Sequence, residues 1–192
     1  MPIQRFDFRT DLTNVAVSPP IRNRFRRVAL GPVPEVHSHD LGGETFLVME
    51  GQIEFTVADE TIVCTSGQGI FVPPRTTHAV RAIGDQPAVM YLSVSPHVEP
   101  THTMYDAEGQ RLPSRYGVWQ EAGGGAPDTT STRAELLDRY RSAAQRLADQ
   151  ATANATSTAT TRDAIVSTLI PLLQQVEALE TVWNELALRP DG

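Results

Sequence analysis

Between Phe25 and Ser95 the chain alternates apolar and polar positions with a period close to two, the spacing that sends successive side chains to opposite faces of a β-strand. The runs FRRVALG, EVHSHD, ETFLVMEG, QIEFTVAD, ETIVCTS, GIFVPP, HAVRAI and AVMYLSVS follow one another at nearly even intervals, each bounded by Gly, Pro or an acidic turn. Many short strands punctuated in this way predict a mainly β barrel or sandwich that hides its strand edges by closure or double layering. Further on the period changes. Thr132 and Glu135 spell a capping box, and Leu136, Leu137, Tyr140, Ala143, Ala144 and Leu147 follow at helical spacing. A second helix is expected from about Asp163 to Leu188, with Leu169, Leu172, Val176, Leu179, Trp183 and Leu186 forming a heptad seam. Pro171 near its beginning predicts a kink or the helix's true first turn.

This pattern divides the chain into a β-barrel with an N-terminal arm over residues 1–121, a linker over 122–131 and a C-terminal helical extension over 132–192. The linker, AGGGAPDTTS, has a flexible composition. Ser18-Pro19-Pro20 interrupts regular structure in the arm, and the stretch after Ser95, without clear periodicity, carries Trp119 as a candidate cap for the barrel. The segment ATANATSTATT, residues 151–161, reads as a mobile loop or a fraying helix end, because its threonines weaken the helix its alanines permit. The two helices are expected to form an antiparallel hairpin, its apolar face covered by the barrel or by a second copy of the chain. A homodimer is the corresponding expectation.

Candidate chemistry concentrates in GPVPEVHSHDLGGETFLVMEG, Gly31 to Gly51. His37 and His39 are separated only by Ser38, so a strand would point both imidazoles into one cavity. Asp40-Leu41-Gly42-Gly43 reads as a turn. Glu44 then opens the next alternating run and returns its carboxylate towards the histidines, making three potential metal ligands. A fourth, His78, follows a short strand and a proline turn in GQGIFVPPRTTHAV.

These residues resemble the two motifs of the cupin superfamily. The first, G-x5-H-x-H-x3,4-E-x6-G, is matched by Gly31, His37, His39, Glu44 and Gly51. The second, G-x5-P-x-G-x2-H-x3-N, is matched by Gly67, Pro73 and His78, with Arg75 where the family has glycine and Ala82 where it has asparagine. The resemblance covers about Val28 to Ser95. It implies a cupin-type jelly-roll β-barrel, followed here by the C-terminal α-helical hairpin, and a metal held by His37, His39, Glu44 and His78. In resembling proteins a leading arm often pairs with a neighbouring subunit.

Parity extends the reading to the cavity. If Glu44 faces inward so do Phe46 and Val48, and if His78 faces inward so do Val80 and Ala82. Phe71, Met90 and Tyr91 are further lining candidates. His97 and His102 lack paired spacing and a carboxylate neighbour in sequence, and are assigned to the surface or the rim.

Three imidazoles and one carboxylate suit a divalent first-row metal such as iron, manganese, nickel, cobalt, copper or zinc. The resemblance then implies a small-molecule enzyme, ranked first as a quercetin dioxygenase-like oxygenase acting on an enolisable or oxygen-chelating substrate, with Glu44 as catalytic base. A non-redox Lewis-acid isomerase, lyase or polyketide cyclase follows, and a non-catalytic binding module comes third.

Composition narrows the partners. A formal net charge of -7 over 192 residues, without a long basic cluster, argues against nucleic acid and acidic membrane surfaces. RFRR, Arg24 to Arg27, is the densest basic patch and reads as a solvated strand face. The charged start MPIQRFDFRTDL differs from a secretory signal, and no stretch is long and apolar enough to span a bilayer. The lone Cys64 fits a reducing cytoplasm and reads as a small core hydrophobe.

Overall fold

The computed structural model describes residues 3–31, 35–118 and 128–190. Trp119 and most of the expected linker lie outside the described residues. Contacts divide the chain into two compact units, Met1–Gly124 and Gly125–Gly192.

The first unit is built from ten strands: β1 (Asn14–Ser18), β2 (Ile21–Val28), β3 (His37–Ser38), β4 (Gly43–Glu50), β5 (Gln52–Val57), β6 (Glu60–Thr65), β7 (Gly69–Val72), β8 (His78–Ile83), β9 (Ala88–Ser95) and β10 (Thr103–Met104). They form two five-stranded antiparallel sheets, ordered β1-β2-β9-β4-β7 and β10-β3-β8-β5-β6. Apart from the hairpins β1-β2 and β5-β6, sequence neighbours are thus split between layers, as in a jelly roll. Alternation produces the core directly. Along β4, Glu44, Phe46 and Val48 are buried while Thr45 and Leu47 are exposed, and Phe46, Val48, Ile53, Phe55, Val72 and Met90 fill the space between the sheets. Cys64 belongs to the same cluster, 4% exposed.

Two local departures follow from pairing. The expected strand FRRVALG starts earlier, at Ile21, because Pro19 and Pro20 make the turn of a hairpin in which β1 pairs with β2 of its own chain, Ser18 opposite Ile21. The described arm therefore adds a strand in place. At Arg75, where the motif has glycine, the backbone takes φ 64°, the left-handed region that glycine occupies without steric cost. Arg75 keeps the turn's shape at a local cost of about 1 kcal/mol, and its N–H donates to the His39 carbonyl at 2.8 Å.

The second unit contains α1 (Arg133–Ala155) and α2 (Arg162–Leu186). Thr132 caps α1 and closes a capping box with Glu135; Thr161 caps α2. The first half of the alanine-threonine segment belongs to α1, leaving a short connection, and Asn154 donates to the Thr168 carbonyl across it at 2.9 Å. At the other end the Arg189 guanidinium donates to the carbonyls of Asp128 and Ser131. The helix α2 runs through Pro171. Between the helices Tyr140 and Trp183 pack with tilted rings, 6.0 Å between centroids, and Leu136, Ala143 and Leu186 are buried. Among the described residues no helix is long and apolar enough to cross a membrane.

Candidate metal centre

Strand register assembles the site. On β3 and β8, His37 is directly opposite His78, and their rings lie 4.3 Å apart. His39 follows β3, and a turn through Gly42 carries the chain into the facing sheet. A side chain at Gly42 would meet the Pro96 carbonyl at 2.6 Å, so that close backbone passage needs glycine. Glu44, at the start of β4, then projects its carboxylate from one sheet towards imidazoles carried by the other. One ligand atom from each of His37, His39, Glu44 and His78 lies within 4.8 Å of the rest. His39, Glu44 and His78 are buried and His37 is half-buried.

Each imidazole is oriented through Nδ1. That nitrogen faces the carbonyl of Glu35 in His37, at 3.4 Å, the carbonyl of Thr101 in His39 and the carbonyl of Thr76 in His78, at 3.1 Å. A carbonyl only accepts, so Nδ1 carries the proton and a neutral ring keeps its lone pair on Nε2. The Nε2 atoms of His39 and His78 lie 2.9 and 3.0 Å from the same oxygen, Oε2 of Glu44. Two such lone pairs and a carboxylate oxygen cannot satisfy one another. Either additional protons bind at Nε2 or a cation takes their place, and separations near 3 Å suit adjacent donors that each lie about 2.0–2.2 Å from one ion. The donor set fits a divalent metal.

Charge states support the same use. Burial, and then the neighbouring His78, push the His37 imidazole down to about 4, against the pull of Glu44, so the ring is neutral and ligand-ready at pH 7. Burial raises the Glu44 carboxyl, but its contacts with His39 and His78 outweigh that and hold it below its ordinary value. It is a carboxylate.

The site opens on a cavity of about 480 Å³. Phe46 and Val80 line it, as parity predicts, and so does Met90. Val48 shares their inward face but is sealed in the core, 0% exposed, and does not reach the cavity wall. Phe71 and Tyr91 are corrections. Phe71 is opposite Thr45, one residue out of phase with Glu44, and is 62% exposed. Tyr91 is opposite Leu47 and packs on Phe25 at 5.7 Å, on the outer face of its sheet. Ala82, at the motif's asparagine position, is buried at 4%.

The two remaining histidines also need correction. His97 is 1% exposed, its N–H bonded to the Pro19 carbonyl at 2.8 Å, and so is interior. His102 lines the cavity itself, with ring centroids 5.0 Å from His37 and 4.7 Å from His39. Its Nδ1 bonds the Thr101 hydroxyl at 2.8 Å, so Thr101 orients His39 through its carbonyl and His102 through its side chain. Burial first, and then the nearness of His39 and His37, push His102 down to about 2. The basic run is split between two faces: Arg26 and Arg27 are exposed, as expected of a solvated strand face, but Arg24 and Arg26, with Arg22 before them, line the cavity. Their spacing of two was the available signal.

Comparison with known proteins adds a match over part of the chain. Residues 25–95 match the Cupin_2 family model, described as a cupin domain. No curated protein matches the sequence. Similar solved structures include an uncharacterized conserved protein with a double-stranded β-helix domain from Klebsiella pneumoniae, 15% identical over 55% of this chain and 99% of that one, with a TM-score of 0.49. KdgF from Halomonas is 23% identical over 46% of this chain and 79% of its own, with a TM-score of 0.41. A Bacteroides fragilis cupin protein is 20% identical over 40% and 66%, with a TM-score of 0.38. Two facing antiparallel sheets with a three-histidine, one-glutamate cluster between them form the expected mainly β jelly roll, and residues 25–95 of it are similar to a cupin domain.

Proposed function

We propose that the barrel is a metal-dependent enzyme, and that its reaction is a dioxygenation of a small enolisable or oxygen-chelating organic substrate. The observation that carries this reading is the convergence of Nε2 of His39 and His78 on Glu44, beside His37, at the wall of a cavity large enough for a small molecule. His37, His39, Glu44 and His78 would hold the ion. When bound, a divalent transition metal supplies Lewis acidity and, if redox-active, one-electron chemistry with dioxygen.

The chain's own residues set the conditions. Phe46, Val80, Met90 and Leu92 present apolar walls that exclude water and strengthen charge interactions inside. Glu44 is the one carboxylate among the four ligands and the group suited to take a proton from an enolisable carbon or hydroxyl. Its position between two imidazoles keeps that oxygen fixed.

Metal analysis of protein purified without chelators tests the site, with about one equivalent of a divalent transition metal expected per chain. His39→Ala and Glu44→Ala should each weaken metal binding by at least about a hundredfold while circular dichroism stays that of the folded barrel. Unchanged metal content and activity in both variants would refute the assignment. Oxygen uptake with a panel of enolisable substrates then separates the oxygenase from a Lewis-acid isomerase, lyase or cyclase, which turns over substrate without consuming dioxygen.

A further inference from the structure

The strand β2 places Arg22, Arg24 and Arg26 on one side and Asn23, Phe25 and Arg27 on the other. Phe25 marks the outer side by packing on Tyr91. All three arginines of the inner side line the cavity that also receives His37, Glu44 and His102. Register fixes their distance from the metal centre: Arg22 and Glu44 are both opposite Val94 of β9, and Arg24 and Phe46 are both opposite Leu92. The arginines therefore stand two strands from the metal ligands, about 10 Å between backbones, a span that the long guanidinium side chains partly close.

Along the strand Arg22 is buried, Arg24 half-buried and Arg26 exposed at the open end. Arg22 is 6% exposed, and its Nε donates to the neutral Asn14 carboxamide at 3.3 Å. Arg24 has a buried Nε without a hydrogen-bond partner. Among the described residues the arginine–carboxylate ion pairs lie elsewhere, as in Arg81–Glu54 and Arg111–Asp40, and none involves Arg22, Arg24 or Arg26. The other acidic residues on the cavity are Glu35, exposed at its mouth, and Glu44, committed to the metal centre. Three like charges on alternate residues of one strand repel, and holding Arg22 buried and Arg24 half-buried with only the pull of Glu44 to offset that repulsion is costly. Burial, and then Arg22 and Arg26, pull the Arg24 guanidinium down to about 10, which still leaves it charged at neutral pH. A planar fork of donors in that state matches a carboxylate or phosphate.

We propose that this wall is an oxyanion subsite, and that the molecule bound at the metal centre carries a carboxylate or phosphate group gripped by Arg22, Arg24 and Arg26. The cavity is then bipolar. A chelating oxygen pair faces His37, His39, Glu44 and His78; an anionic tail faces β2; Phe46, Met90 and Leu92 floor the gap with apolar surface. The inference rests on the proposed function for the identity of the first pole, whereas the second stands on the arginines alone.

Calorimetric titration of the metal-free 192-residue chain with succinate, inorganic phosphate and the neutral isostere succinamide tests it. Succinate or phosphate should bind at least tenfold more tightly than succinamide, with affinity falling as salt rises; the tighter of the two names the tail. Arg24→Gln should lower that affinity tenfold or more, and Arg24→Lys by less. Arg26→Gln, on the more exposed side chain, provides a second variant if substitution of Arg24 perturbs folding. Equal affinity for succinate and succinamide, or wild-type anion affinity in both Gln variants, would overturn the subsite. Metal titration of the same samples keeps the two readings apart. A chain that binds succinate through Arg24 but takes up no metal refutes the enzyme reading and leaves the subsite standing.

Discussion

The barrel and the helical hairpin bury their apolar surface in different ways. In the barrel, Val48, Ile53 and Phe55 are all 0% exposed, and closed walls hold polar groups inside: His39, Glu44, His78, His97, Glu99 and Thr101 are each 4% exposed or less. In the hairpin a thin seam around Leu136, Ala143 and Leu186 is buried, Asn184 is the buried polar residue, and Ile165, Val166, Leu169, Ile170 and Leu173 remain between 43 and 57% exposed. A closed double sheet can satisfy interior polar groups from several strands at once, whereas two helices shield only the line where they meet. The candidate metal ligands accordingly sit in the barrel.

The largest effect expected from this difference comes from Phe55. Truncation to Ala in a core with no solvent-filled side should cost about 3–5 kcal/mol, read as lost hydrogen-exchange protection in peptides from β4, β5, β8 and β9. Leu136→Ala in the hairpin should fall at the lower end of about 2–5 kcal/mol, because neighbouring residues are already half-exposed and can collapse into the gap. Each loss should stay within its own unit. Equal loss of protection in both units from either substitution would show that the chain unfolds as one body.

Acid should sharpen the same contrast by a smaller amount. Burial, and then the positive charge of Arg22, push the His97 imidazole down to about 3, and His37 and His102 are lowered too. Above pH 6.5 His97 is neutral folded and unfolded. As pH falls through 6.5 the unfolded chain takes a proton that folded His97 refuses until about 3, so the barrel loses stability across that window, by up to about 1.4 kcal/mol per pH unit for the one group. The hairpin behaves otherwise. Burial, then Glu177, raise the Glu180 carboxyl, so it gains stability as pH falls through that raised value. Asp128 and Glu135, lowered by hydrogen bonds from Ser131 and Thr132, lose theirs only below the ordinary carboxylate range. Between pH 6.5 and 5 exchange protection of metal-free protein should fall in the barrel and hold in the hairpin, and His97→Gln should flatten the barrel's slope. Parallel loss in both units would remove the distinction.

Legibility followed locality. Strand parity is local, so the inward set Glu44, Phe46 and Val48, and the set His78, Val80 and Ala82, could be read from spacing, and so could the metal cluster once the motifs were recognised. The capping box at Thr132 was equally local. What spacing could not supply was the path of irregular chain. His97 and His102 are carried inside because the segment after β9 bonds back to the Pro19 carbonyl and then pairs as β10 with β3, and both events depend on residues distant in sequence. The arginines show a subtler failure. Starting the strand at Phe25 hid the repeat Arg22, Arg24, Arg26, and only pairing with β9 reveals that Phe25 faces out. Phe71 and Tyr91 looked like cavity residues by type, yet one step of register puts each on the opposite face.

The smallest effect tests whether the hairpin depends on its ends as much as on its seam. Thr132 accepts from the Glu135 N–H at 3.2 Å while its own N–H donates to the Glu135 carboxylate at 2.7 Å, and the segment just before it is fastened by Arg139 to Asp128 and by Arg189 to the carbonyls of Asp128 and Ser131. Replacing Thr132 by Ala removes one acceptor from the first turn of α1 and should cost about 1 kcal/mol. Thr132→Ser, which keeps the oxygen, should restore most of it. Because the two arginine ties hold the chain in place without the cap, the loss should appear as faster exchange in the first turn of α1 and leave residues around Ala143 and Trp183 protected. If Thr132→Ala instead exposes the whole seam, the hairpin is zipped from that end, and so little interhelical surface cannot hold it by itself.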